Sequence, residues 1–259
     1  MDKEKFEHKF SAFLSTLDKY VSDESKNWSI KGFVDINKNV FTISTDTKII
    51  SKIMEIHIFP LISNFADENG FKLVLPACQN YYPDISLIYK DNPSIKYAVD
   101  IKTTYRKNKD VCNGFTLGSH GEYFINRASN KNIQFPYREY KAHYCLGVIY
   151  SRNEAIDETK VYNIDELPDI TSVIKDIEFF FVEKWKLASD RSGSGNTANI
   201  GSITKISDIL KGNGIFAKYG EQMFDEYWMN YKKILRKQPD GKTKKISKLA
   251  EYLAYRGEK

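Results

Sequence analysis

Phe6, Phe10, Phe13, Leu14, Leu17 and Tyr20 recur at three- and four-residue spacing, which predicts an amphipathic helix over residues 2–20. Its Phe-rich stripe needs a partner, and a second subunit is one candidate. "SIKGFVDINKNVFTIS" then alternates as a hairpin does, turning at Asn37–Lys38. A long helix follows, capped near Thr45 or Asp46 and stopped by Gly70. Ile49, Ile50, Ile53 and Ile62 mark its apolar side, and Pro60 should kink it. Strands are expected at about 71–76, 84–90 and 96–105, and a short helix at about 120–128. Two further apolar runs, "YCLGVIYS" and "EFFFVEKW", follow. Residues 189–202 read as a long polar loop, and the remainder as helices over 205–211, 219–235 and 246–256. Strands interleaved with helices around one hairpin predict an α/β fold, a mixed sheet flanked by helices. No linker divides the chain, so a single domain is expected over residues 1–259.

One stretch breaks the apolar pattern. In "YPDISLIYKDNPSIKYAVDIKTTY", residues 82–105, Asp84, Asp100 and Lys102 stand inside strand sequence. "KDNPS" is a turn sequence. A hairpin centred near residue 92 sets Asp84 beside Asp100. Alternation puts Asp100, Lys102 and Thr104 on one face, with Val99, Ile101 and Thr103 on the other. Asp100 and Lys102 then lie about 7 Å apart along the strand. Two close carboxylates repel unless a cation sits between them. Mg²⁺ favours one or two carboxylates plus water and phosphate oxygens, and an ammonium can orient water or meet charge developing on phosphate. The set suits metal-assisted phosphodiester hydrolysis. A plain salt bridge between Asp100 and Lys102 is the bland alternative.

Composition adds limits. With 259 residues the chain can bury a sizeable core. No apolar run of about 18 residues stands out, and the N-terminus lacks a signal-peptide pattern, so no membrane role is expected and the cytoplasm is the expected location. Three unclustered cysteines form neither a disulfide framework nor a zinc pattern. The four histidines do not cluster either, and His57 reads as a packing residue. The net charge of +5 is mild, but eight of the residues from Lys232 to Lys248 are basic against one acid, Asp240. That stretch is either a solvated tail or a phosphate-facing surface.

"YPD…VDIK" resembles the PD-(D/E)xK nuclease signature. Further blocks extend the likeness in order: "TDTKIISKIMEIHIFPLI", "QNYYPD", "VDIKTTY", "FTLG", "NIQFPY", "YNIDEL", "EKWKLASD", "GSGNTANIGS" and "YWMNY". Together they resemble the EcoRV-type type II restriction endonucleases along almost the whole chain. The resemblance implies a restriction-endonuclease-like fold and a homodimer. Its dimerisation part would be about residues 1–45 and its DNA-binding and catalytic part about 46–259. It implies that Asp84 and Asp100 bind metal and Lys102 is catalytic. Glu55 would hold a second metal nearby, and the Ile101 carbonyl would add a ligand. Mg²⁺ is the implied cofactor, with Mn²⁺ substituting and Ca²⁺ supporting binding with little cleavage. Gly193, Ser194, Gly195, Asn196, Thr197 and Asn199 match the loop that reads bases in the major groove, and Gln79 and Asn80 a loop along the minor groove. Thr104, Lys131, Thr47, Lys48 and Arg236 are implied DNA contacts.

The residues support the reading loop independently. Asn pairs bidentately with adenine, and glycines let main chain approach base edges; a flexible Gly/Ser linker is the alternative. Cys78, Arg191, Ser192, His120 and Glu122 depart from the family pattern, which bears on flanking-sequence preference more than on chemistry. The implied activity is cleavage of both strands of a short palindrome, GATATC, at its centre to blunt ends. A DNA methyltransferase of the same system is the implied companion, without direct contact. Two rivals stand beside this: a structure-selective PD-(D/E)xK repair nuclease or junction resolvase, and a DNA-binding protein without catalysis.

Overall fold

The computed structural model describes residues 1–153, 157–193, 198–237 and 242–257. Along the chain, α1 (Lys3–Val21) precedes a hairpin of β1 (Gly32–Val34) and β2 (Asn39–Thr42). Next come α2 (Thr47–Glu68), β3 (Phe71–Val74), β4 (Ile85–Tyr89), β5 (Lys96–Tyr105), β6 (Thr116–Ser119) and the short α3 (Glu122–Ile125). The middle holds β7 (Tyr140–Arg152), β8 (Val161–Asn163), β9 (Ile174–Glu183) and a single turn, α4 (Lys184–Leu187). The last third holds β10 (Ala188–Ser192), β11 (Asn199–Ser202), α5 (Ile206–Lys211), α6 (Glu221–Asn230), β12 (Leu235–Lys237), β13 (Thr243–Lys245) and α7 (Leu249–Arg256).

The central sheet runs β3-β4-β5-β7-β9. Only β5–β7 is parallel; the other pairs are antiparallel. The mixed sheet with flanking helices is the predicted architecture. The long strands alternate between two cores. Val99, Ile101, Leu146 and Val148 join one, while Ala98, Cys145 and Ile149 join the other, the period-two geometry of a strand buried on both faces. Helices α1 and α2 cover the first face. The small sheet β10-β11-β6 and helices α5, α6 and α7 supply the second.

The Phe stripe of α1 is spent inside its own chain. Phe6 stacks on Tyr97 at 4.0 Å and Phe10 on Phe181 at 3.9 Å, both fully buried. Each contributes about 1.5–3 kcal/mol by burial, so the stripe is not a free subunit face. Asp2 caps the helix by accepting from the Lys5 N–H.

Helix α2 begins at its expected cap, where the Asp46 carboxylate accepts from the N–H groups of Lys48 and Ile49. It runs through Pro60 without ending, and the chain leaves it at Gly70, with φ +73°. By length and composition this helix could cross a membrane. Here Ile50, Ile53, Met54, Ile58, Ile62 and Phe65 are buried in the core. Trp28 Nε1 donates to His57 Nδ1 at 3.2 Å, the expected packing role for that histidine.

Three expectations need correction. Residues 189–202 are not a loop throughout: β10 and β11 pair as an irregular hairpin that adds to β6. Their polar and glycine residues carry no apolar alternation to announce a strand. The helix expected over 219–235 ends at Asn230, and β12 and β13 then form an exposed ribbon in which Arg236 stands opposite Lys244. Finally, β8 joins β1 and β2 in a third sheet that local sequence did not announce.

Candidate active site

The β4–β5 pairing has the anticipated register: Ile85 opposes Val99 and Ser86 opposes Ala98. Extended by one residue, it sets Asp84 beside Asp100. The Asp84 carboxylate accepts the Ile101 N–H at 2.7 Å. A backbone donor just beyond the ladder thus fixes the side chain. Lys102 Nζ lies 2.7 Å from Asp100 Oδ2 and 3.8 Å from Asp84 Oδ2. The ammonium therefore bridges the two carboxylates. Across the parallel pairing, Lys102 faces Gly147, and the Phe180 ring from β9 occupies the space a side chain there would need.

Electrostatics mark the cluster as unusual. Burial pushes the Asp84 carboxyl up to about 7, the Asp100 charge adds to the rise, and Lys102 opposes it. Burial acts to lower the Lys102 pKa, but the charges of Asp100 and Asp84 outweigh it, and the net effect is a rise. Lys102 is therefore a cation at neutral pH in the metal-free protein, suited to holding an anion or a water lone pair rather than to taking a proton. A carboxyl group with a raised pKa, beside a second carboxylate and a fixed cation in a cleft, is a functional-site signature.

The trio opens into a depression of about 330 Å³. Gln79, Asn80, Tyr81, Tyr82, Thr116, Gly118, Ser119, Glu122, Tyr123, Asn132 and Asn199 complete its lining. A larger depression of about 730 Å³ lies elsewhere, between Asp190, Lys218 and α7. It lacks a carboxylate–lysine cluster of this kind, so the chemistry points to the smaller one. The two carboxylates are hard oxygen donors that leave room for water and substrate, which fits Mg²⁺. Among the described residues no group of three or more His, Cys, Asp or Glu is placed to hold a metal.

The structure gathers some expected residues here and not others. Gln79, Asn80 and Asn199 line the depression with the trio. Ser194, Gly195, Asn196 and Thr197 lie outside the described residues; Gly193 and Asn199 flank them, the first donating its N–H to the carbonyl of the second at 2.9 Å. Lys131 is exposed and pairs with Glu122 at 2.9 Å, at the rim. Arg236 is exposed on the β12–β13 ribbon.

Glu55 does not join Asp84 and Asp100. It pairs with Lys52 at 2.9 Å and shares a separate depression with Thr47, Lys48, Ser51 and Thr103. The reason is the strand period: α2 covers the Val99, Ile101 and Thr103 face, whereas Asp100 and Lys102 project to the other. Thr104 is also displaced from its expected role. It is 4% exposed, and its hydroxyl donates to the Asn113 carbonyl at 2.6 Å, which makes it a tie between strand and loop. For Ile101, the described contact is its N–H to Asp84 rather than its carbonyl.

Sequence reading missed the aromatic wall. Tyr82 and Tyr123 stack at 5.4 Å between ring centroids, and the Tyr82 hydroxyl bonds to buried His143 Nδ1 at 3.0 Å. Only the tyrosine before Pro83 could have hinted at it. A basic depression formed by Tyr105, Arg106, Lys107, Lys109 and Arg152 was also missed, because only the β5–β7 pairing brings Arg152 to the 105–109 run.

The site's geometry agrees with what comparison of the sequence gives. The family described as restriction endonuclease EcoRV matches residues 24–257. The type II restriction enzyme EcoRV of Escherichia coli is 36% identical over 239 residues, covering 92% of this chain and 95% of that enzyme. With the carboxylate–lysine cluster and the mixed sheet that carries it, the match places the chain in the EcoRV family of type II restriction endonucleases, site-specific deoxyribonucleases.

Proposed function

We propose that the protein is a homodimeric, Mg²⁺-dependent endonuclease that cuts both strands of a short palindromic DNA site, GATATC, at its centre to blunt ends. The observation that carries this reading is the Lys102 ammonium 2.7 Å and 3.8 Å from the two carboxylates, at the floor of an open cleft. The cleft lies between the Gln79–Asn80 segment and β11, so a duplex held by both would have its backbone over the trio.

Asp84 and Asp100 would hold the divalent ion, whose contribution when bound is Lewis-acid stabilisation of the scissile phosphate. The Ile101 N–H keeps Asp84 turned into the cleft. Lys102, held charged, orients the attacking water and offsets charge growing on the phosphate oxygens. Mn²⁺ should substitute, and Ca²⁺, larger and looser in coordination, should support DNA binding with little cutting. Lys131, Arg236 and the basic depression around Arg106 and Arg152 would meet phosphates, as would Thr47 and Lys48 at the start of α2. Incubation of plasmid with protein and Mg²⁺, with sequencing of the ends, tests the reading. Discrete fragments with blunt ends inside GATATC support it. Cutting only at junctions or free ends would favour a structure-selective nuclease, and binding without cutting a non-catalytic protein.

The two-fold assembly has its own support. The β1–β2 hairpin keeps Phe33, Val34, Ile36 and Phe41 exposed, with Val161 of β8 beside them. Clustered exposed apolar side chains on one small sheet are typical of an interface. A palindrome also calls for a two-fold protein. Light scattering should give about twice the chain mass of 30.0 kDa. Phe33→Asp with Phe41→Asp should shift the protein toward monomer and abolish double-strand cutting. A wild-type monomer that cleaves both strands in one encounter would contradict the dimer.

A further inference from the structure

Lys184 is out of place for a lysine. It stands at the start of α4, directly after β9, and is 3% exposed. Its Nζ has no hydrogen-bond partner among the described residues. A buried ammonium without an acceptor is costly and calls for an explanation. Three rings surround it: the Nζ lies 4.9 Å from the centroid of Tyr82, 5.4 Å from Phe124 and 5.6 Å from Tyr137. Their faces stabilise a cation. Neighbouring acids are already engaged: Arg127 takes Asp225 at 2.5 Å, and Lys102 takes Asp100. His143 is kept neutral here, burial pushing its pKa well down.

The cage lies against the cleft. A Cβ placed on Gly118 would stand 3.5 Å from the Lys184 Nζ and 3.3 Å from the Tyr123 hydroxyl. Gly118, Tyr82 and Tyr123 all line the depression that holds Asp84, Asp100 and Lys102. A glycine at φ +85° thus forms the layer between this ammonium and the cleft. Burial lowers the Lys184 pKa to about 8, with Asp100 the strongest influence opposing the fall, so the cation persists at pH 7.

We propose that Lys184 is a positioning residue of the nuclease: from its aromatic cage beneath Gly118 it sets a fixed positive charge beside the cleft that limits how tightly the carboxylates there hold a divalent cation. The inference rests on the nuclease reading of the cleft. Its sign is distinctive. Removing the charge relieves a repulsion felt by a doubly charged ion in the cleft, so the carboxylates hold metal more tightly. An ion held too tightly would then serve the phosphate less well.

The test compares wild type, Lys184→Met and Lys184→Gln at pH 7. Mn²⁺ binding without DNA is followed by the electron paramagnetic resonance of free Mn²⁺, thermal melts are run in chelator, and cleavage is measured in single turnover. Methionine suits an aromatic cage, and loss of an unpaired buried charge should leave the melt unchanged or raise it. The expected result is a Mn²⁺ dissociation constant lowered about tenfold, together with slower cleavage. A purely structural lysine would lower the melting temperature and leave Mn²⁺ affinity alone. An unchanged dissociation constant in a folded variant, or collapse of both variants in chelator, overturns the proposal. Wild type that neither cuts DNA nor loses Mn²⁺ binding on Asp84→Asn overturns the nuclease reading, and this proposal with it.

Discussion

Asp100→Asn should lower single-turnover cleavage by about 10³-fold or more, about 4 kcal/mol at the transition state, while the protein stays folded. Asp100 is 8% exposed, salt-bridged to Lys102 at 2.7 Å, and one of two carboxylates at the floor of the cleft. An amide keeps the shape but cannot carry the charge that holds a hard cation. Lys102→Ala should cost a comparable factor, because it removes the cation facing the phosphate and leaves two acids unscreened. Asp84→Asn adds a stability signature. The folded-state pKa of Asp84 is raised to about 7 from 3.8. The folded protein therefore binds more protons than the unfolded chain between those values, and metal-free stability falls as pH rises through that window. Asp84→Asn removes this loss. With the side chain 36% exposed, solvent screening reduces the gain to about 1–2 kcal/mol at pH 8. Cleavage, gel shift and chelator melts, run on the same preparations, decide the matter. Near-wild-type cutting by the Asp100 or Lys102 variant would exclude them from the chemistry.

Asn196→Ala should collapse cleavage at the preferred site and spare slow cutting elsewhere. Asn196 falls within Gly193-Ser194-Gly195-Asn196-Thr197, the segment joining β10 to β11. β11 brings Asn199 to the cleft that holds the trio. An Asn amide can meet an adenine edge with two hydrogen bonds, discriminating by about 1–3 kcal/mol. A two-fold site uses the contact twice, so the loss is about 2–6 kcal/mol if the halves add. This corresponds to about 30-fold to 10⁴-fold in rate. Changes to Lys244 or Lys245 on the β12–β13 ribbon should instead weaken all DNA alike and flatten the salt dependence. Single-turnover rates on the preferred duplex and its one-base variants separate these effects. An unchanged ratio for Asn196→Ala would remove residues 193–197 from base reading.

The chain's own alternation determined the β4–β5 hairpin to the residue. The turn at Asp91–Ser94 and the period of two fixed which side chains share a face, and the observed register sets Asp84 beside Asp100 as expected. Helices α1 and α2 were legible for the same reason, since a stripe at helical spacing and an Asp cap are local properties. What no local pattern contains is the partner of each face. Tertiary structure decided that the Phe stripe of α1 lies on the sheet through Tyr97 and Phe181 rather than on another subunit. It also put α2 on the far side of β5, so that Glu55 sits with Thr103 and Lys52 instead of the aspartates. The β10–β11 hairpin and the basic β12–β13 ribbon escaped sequence reading because their strands are short and polar, without an apolar alternation. No local pattern in the sequence marks Lys184. Only the convergence of Tyr82, Phe124 and Tyr137, separated by up to about a hundred residues from it, buries its charge behind the cleft.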